Sequence, residues 1–264
     1  MRYELIDNIR GLNLISMILY HLTWDLVNLY GFPWNWFYSN GAYFWQQTIC
    51  WIFILLSGFC WPMGKHPIKR GLTVIGSSVL VSVITIFFVP EGKIIFGVLT
   101  LLGVSMLLMI PLEQLTKKIP PVLGMIVSFG IFFLFRNTDR GWMGFEHIQI
   151  YPFPKGMYQN MITTFLGFPQ EGFYSADYFP VLPWFFLFLT GYFLYRILQK
   201  NNLLYALAGK RTLSKKTHET AERSKDRKGI FPITVMGRRS LLIYLLHQPV
   251  IYIFLMLLFS SAAR

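Results

Sequence analysis

Apolar residues recur along this chain in runs of about 17 to 25 positions, the length a helix needs to cross a hydrocarbon core about 30 Å thick. Seven such runs fall at about 8–29, 42–62, 71–89, 94–113, 120–136, 181–198 and 236–258, separated by polar, Gly- and Pro-containing connections. Pro120 and Pro121 open the fifth run and Pro180 and Pro183 open the sixth, at positions where a missing amide donor costs a helix little. The pattern predicts an all-α, polytopic membrane bundle of about seven transmembrane helices, forming a single domain across residues 1–264.

Two long segments do not span. One, about 199–235, is polar and basic and is expected to include amphipathic helix lying against anionic lipid. The other, about 137–180, is rich in aromatics, glycine and proline, and its piece GMYQNMITTFLGF suits a short interfacial or re-entrant helix. Connections of that length in compact proteins are usually functional. No internal repeat and no inverted pair of broken helices is visible, features that secondary transporters often carry.

The first run departs from the others because Arg10, His21 and Asp25 interrupt it. Ionisable groups at membrane depth are expensive, so they read as a site with a partner on the same or a facing helix. On a 3.6-residue period, Asp7, Arg10, Leu14, Met17, His21, Asp25 and Asn28 fall near one stripe. His21 and Asp25, four residues apart, are spaced for the carboxylate to orient one ring nitrogen and leave the other as base or nucleophile, the arrangement acyl transfer requires. Arg10 lies roughly 16 Å from His21 along the helix, far enough to hold an anionic donor while the imidazole meets its reactive end. The plainer alternative has Arg10 reaching lipid phosphate and His21 bonding Asp25 as interhelical glue.

Composition agrees with a membrane class. Of 264 residues, 54% are hydrophobic and only 14% charged, with a mean hydropathy of +0.47. The net charge of +12 does not indicate nucleic acid, because the basic residues cluster between apolar runs rather than along one amphipathic face. With the N-terminus cytoplasmic, nineteen of the 24 Lys and Arg residues fall inside and five outside, which sets the expected orientation. Glu4 and Asp7 precede the first run and His21 and Asp25 interrupt it, so it is expected to persist as an uncleaved anchor. Cys50 and Cys60 have no nearby Cys/His set, and no metal site is expected.

Other residues suited to the same chemistry are scattered along the chain. Lys65, Lys69 and Arg70 in KHPIKRG would attract the phosphates of a nucleotide-bearing donor, although topology alone accounts for positive charge there. Ser57 with Gly58 in WIFILLSGFCW suits either helix packing or passage of a ligand. His247, beside Gln248 and before Pro249, is a second intramembrane imidazole, ligand-facing or structural. Asp177, before the sixth run, is suited to cap that turn or to hold a sugar hydroxyl or amine. Glu146, His147 and Glu171 are weaker candidates.

Several segments, in order, resemble the bacterial heparan-alpha-glucosaminide N-acetyltransferase catalytic-domain family: SGFCWPMGKHPIKRG, IIFGVLTLLGVSMLL, DYFPVLPWFFLFLTGYFL and GRRSLLIYLLHQPV. The first run is also similar to the broader transmembrane acyltransferase superfamily, whose members often show a basic residue, ten residues, then histidine, here Arg10 to His21. The resemblance implies a multi-pass acetyltransferase of the bacterial cytoplasmic membrane that takes acetyl-CoA or another acyl-CoA as donor. It implies an extracytoplasmic carbohydrate or glycolipid acceptor, with membrane lipids around the bundle and a homo-oligomer allowed. His21 takes the place of the catalytic histidine, Arg10 that of its basic companion, and His247 and Asp177 stand at family-like positions. Thr100 stands where members often have a helix-four histidine, and the connection YGFPWNWFYSNGAYFW lacks the histidine of the lysosomal enzyme. A small-solute or lipid transporter with a polar first-helix pathway is the alternative, and a non-catalytic assembly or sensor subunit is a third.

Overall fold

The computed structural model describes residues 3–204 and 231–260. Most of the basic segment at about 199–235 lies outside the described residues. By length and composition, six helical stretches among the described residues are long and apolar enough to cross a membrane: Asn40–Met63, Pro67–Phe88, Val98–Thr116, Pro121–Arg140, Val181–Lys200 and Ser240–Phe259. They make the chain a multi-pass membrane protein. The first helix, α1 (Glu4–Asn28), has 25 residues, roughly 37 Å at the helical rise, but carries Glu4, Asp7, Arg10 and Asp25 along it.

The described residues fall into two compact units, one formed by those within 1–53 and 202–264 and the other by 54–201. The first unit holds α1, the part of α2 (Asn40–Cys60) up to Phe53, and two helices late in the chain, α8 (Phe231–Arg238) and α9 (Ser240–Ser260). The α1 and α8 backbones touch, since a Cβ on Gly237 would lie 1.9 Å from the Asp7 carbonyl oxygen. Small residues permit such an approach where lipid gives helices no hydrophobic reason to associate. Polar bonds then fix the crossing: Thr234 Oγ1 donates to Asn8 Oδ1 at 2.5 Å, and Arg238 Nε lies 3.3 Å from Asp7 Oδ2. One turn further, the buried Asn13 amide donates to the Ile49 carbonyl at 3.0 Å, and Trp45 Nε1 donates to Ser16 Oγ at 2.8 Å. Leu14, Met17 and Ile49 form the apolar core between these bonds.

The second unit holds the end of α2, α3 (Pro67–Phe88), α4 (Val98–Thr116), α5 (Pro121–Leu134), α6 (Met161–Leu166) and α7 (Val181–Lys200). Helix α3 packs on α4, and α5 packs on α7. Gly58 carries the contact of α2 with α7, because a Cβ there would lie 1.8 Å from the Phe188 carbonyl oxygen. At the other end of α7, Arg196 donates to three main-chain carbonyls, Thr116 at 2.6 Å, Ile119 at 3.2 Å and Lys117 at 3.1 Å. The Leu115 and Thr116 carbonyls accept from the Lys118 and Ile119 amides, but the turn then runs into Pro120 and Pro121, which have no amides to offer. One guanidinium supplies the further donors.

The chain is largely helical as expected, and the 137–180 segment adds a short hairpin in which β1 (Trp142–Phe145) pairs antiparallel with β2 (Ile148–Pro152). Its base is held from the end of α5. Asn137 Nδ2 donates to the Glu146 carbonyl at 3.0 Å, and Arg136 lies 3.7 Å from Glu146 with its guanidinium 4.9 Å above the Trp184 ring. Four- and five-residue strands leave too short an alternation to be read in a sequence. Within GMYQNMITTFLGF a helix does form. It is α6, six residues long, opened by a reciprocal Asn160–Thr163 capping box.

Candidate active site

The first unit brings together His21 and Asp25 on α1 with His247 and Gln248 on α9. The His21 and His247 rings lie 4.9 Å apart, centroid to centroid, tilted by 55°. No hydrogen bond or ion pair joins His21 to Asp25, contrary to the expectation from their spacing. The fully buried Asp25 carboxylate instead accepts two bonds from Gln248 Nε2, at 2.9 Å and 3.2 Å. A helix face sets which residues are neighbours, but a carboxylate with no water takes the best donor in reach, here an amide from another helix.

The environment of His247 fixes its chemistry. Its Nδ1 lies 2.6 Å from the Tyr244 carbonyl oxygen. A carbonyl only accepts, so Nδ1 carries the hydrogen and, in the neutral ring, Nε2 presents a bare lone pair. That Nε2 is buried and has no hydrogen-bond partner, and neither does Oε1 of the next residue in sequence, Gln248. Buried polar atoms are almost always paired, so each of these two stands out among the described residues. Tyr244, which orders the imidazole through its main chain, stacks its own ring on Phe53 at 5.5 Å. His21 is only partly buried, and its ring meets Tyr20 edge-on at 5.9 Å.

Arg10 sits at the α1–α8 crossing, 3.8 Å from Asp7 and donating to the Gly237 carbonyl at 3.4 Å. The remaining expected residues belong to the second unit. Lys65 and Lys69 are exposed at the turn from α2 to α3. Arg70 donates to the Trp61 carbonyl at 3.2 Å, closing the short 3-10 turn Trp61–Met63 that follows α2. Ser57 is partly buried, one residue before the tight contact at Gly58. Thr100 Oγ1 lies 2.5 Å from Ser78 Oγ, between α4 and α3. Among the described residues no three His, Cys, Asp or Glu side chains group as metal ligands would.

Asp177 caps a different helix from the one it precedes in sequence. Its Oδ2 accepts from the Val98 amide at 3.0 Å, across 79 residues, and so closes the N-terminus of α4. Burial pushes the carboxyl up to about 6, against the downward pull of the Val98 bond. The native carboxyl therefore holds a proton that the unfolded one has lost, and its contribution to stability falls as pH rises from about 4 to about 6. Asparagine keeps an oxygen for Val98 and never ionises. The melting temperature of Asp177→Asn relative to the parent protein is expected to climb between about pH 4.5 and pH 7. A difference that stays flat across that interval removes the ionisation from the account.

The profile of the family described as heparan-alpha-glucosaminide N-acetyltransferase, catalytic, matches residues 2–249. The chain belongs to that family. A heparan-alpha-glucosaminide N-acetyltransferase catalytic domain with spanning helices is a membrane enzyme of acyl-CoA-dependent acyl transfer, so the chain is a transmembrane acyltransferase with an acyl-CoA-type donor. The matched stretch takes in both imidazoles, Asp25 and Gln248. Neither a curated protein nor a solved structure matches the chain.

Proposed function

We propose that this acyltransferase moves an acetyl or other acyl group from cytoplasmic acyl-CoA to a hydroxyl or amino group of an extracytoplasmic glycan or glycolipid. In this reading α1 is a seventh span, the N-terminus is cytoplasmic and the membrane is that of a bacterial cell. The observation that carries it is the His21–His247 pair at 4.9 Å with the bare, unpartnered Nε2 of His247. Charge bias supports the orientation, and the exposed Lys65 and Lys69 suit the donor's phosphates.

The donor supplies an acyl group activated as a thioester. His247 Nε2 takes the proton from the attacking hydroxyl or amine, and the Nδ1–H bond to Tyr244 steadies the charge that develops on the ring. The same nitrogen returns the proton to the departing sulfur. His21 stands beside it to orient the acceptor or to carry the acyl group first. Gln248, held by Asp25, sets the register of α9 and so the position of His247.

Proteoliposomes loaded with a panel of hydroxyl- and amino-bearing sugars test this reading directly. Radiolabelled acetyl-CoA supplied outside is expected to label an enclosed sugar. Flux of the sugars with no requirement for acyl-CoA would instead establish a transporter.

A further inference from the structure

The α4–α5 turn and the end of α7 enclose an open cavity of about 430 Å³ whose lining includes Lys117, Lys118, Arg196 and Lys200. All of it lies within the second unit. Arg196 is committed to the carbonyls of Thr116, Lys117 and Ile119, so it contributes a fixed positive charge to the wall. Lys117 pairs with Glu113 at 3.0 Å. Lys118 and Lys200 are exposed and form no ion pair among the described residues, which leaves two ammonium groups on the lining without a carboxylate partner.

We propose that this cavity binds the phosphodiester of an anionic phospholipid headgroup. Three spanning stretches meet there, α4 ending at Thr116, α5 starting at Pro121 and α7 ending at Lys200, so the cavity sits at headgroup depth. Lysine presents a compact charge with three donors, suited to a phosphate whose orientation is not fixed. The remaining wall is Ile119, Pro120, Pro121 and Gln199. Among the described residues it has no aromatic ring on which an adenine could stack, which favours a lipid phosphate over the nucleotide end of the donor. The inference is independent of the catalytic reading, since it uses none of the residues on α1 or α9.

Native mass spectrometry of the detergent-purified full chain, titrated with phosphatidylglycerol and with phosphatidylcholine, tests it. Phosphatidylglycerol is expected to be retained preferentially. Lys118→Gln/Lys200→Gln should weaken that retention by roughly tenfold or more, from two basic groups near a lipid surface. Both positions are exposed, and melting temperature verifies the fold. The charge-matched Lys93→Gln/Lys155→Gln variant should retain the lipid. Equal retention by the Lys118/Lys200 variant, or no preference between lipids, overturns the proposal. Displacement of phosphatidylglycerol by adenosine 3′,5′-bisphosphate, lost in the same variant, overturns it in favour of the donor's phosphates.

Discussion

Purified His247→Ala protein is expected to transfer acyl groups about 10²–10⁴-fold more slowly than the parent chain, the range contributed by a positioned acid–base group. The tautomer fixed by Tyr244 is the reason for placing proton transfer at this ring. His21→Ala should fall in the same range, because its ring lies 4.9 Å away and the proposed mechanism puts both rings on one ligand. Groups that act as a unit are strongly non-additive. The double variant should therefore be little worse than the poorer single one. Full multiplication of the two losses would mean separate roles. Near-parental turnover by a folded His247→Ala protein would move the base to His21, and the same result for His21→Ala would leave His247 to act alone. Incubation with acetyl-CoA in the absence of acceptor distinguishes the routes further. An acetylated His21 peptide, found by mass spectrometry, is the mark of a covalent carrier.

The Asp25–Gln248 bond should show the next largest effect, on stability and catalysis together. Gln248→Leu preserves bulk but strands a fully buried carboxylate that accepts two bonds from one amide. Interhelical hydrogen bonds in membranes average about 0.6 kcal/mol, with a maximum near 1.7. A stranded buried acceptor costs about 1–3 kcal/mol. We expect a loss of about 1–2 kcal/mol in detergent unfolding. Asp25→Leu/Gln248→Leu should recover most of it, since removing both partners leaves nothing unsatisfied. Catalysis should not recover. A positioning role predicts low kcat in the double variant despite restored stability, whereas a merely structural bond predicts that both return.

The spans were legible because hydrophobic length is a property of consecutive residues, and Arg10 and His21 stood out as costly interruptions of one such run. What escaped was decided between elements distant in sequence. The spacing of His21 and Asp25 described one helix correctly, but Gln248, 223 residues away, supplied the better donor. Tyr244 gave no signal at all, since it acts through a main-chain carbonyl that every residue type possesses. Asp177 looked like a cap or an acceptor ligand for its own neighbourhood, and only the fold brings it to Val98. The Trp142–Pro152 hairpin owes its shape to Asn137 and Arg136 at the end of α5, not to a long alternating pattern of its own.

That separation of 223 residues between Asp25 and Gln248 also has a consequence for biogenesis. During synthesis α1 is made long before α9 exists, so the nascent chain carries His21 and Asp25 without the second imidazole or the amide that holds the carboxylate. On the proposed mechanism, catalytic competence then arrives with α9. On that mechanism a chain stalled before Ser240 would lack the His247 base and could not complete transfer to an acceptor.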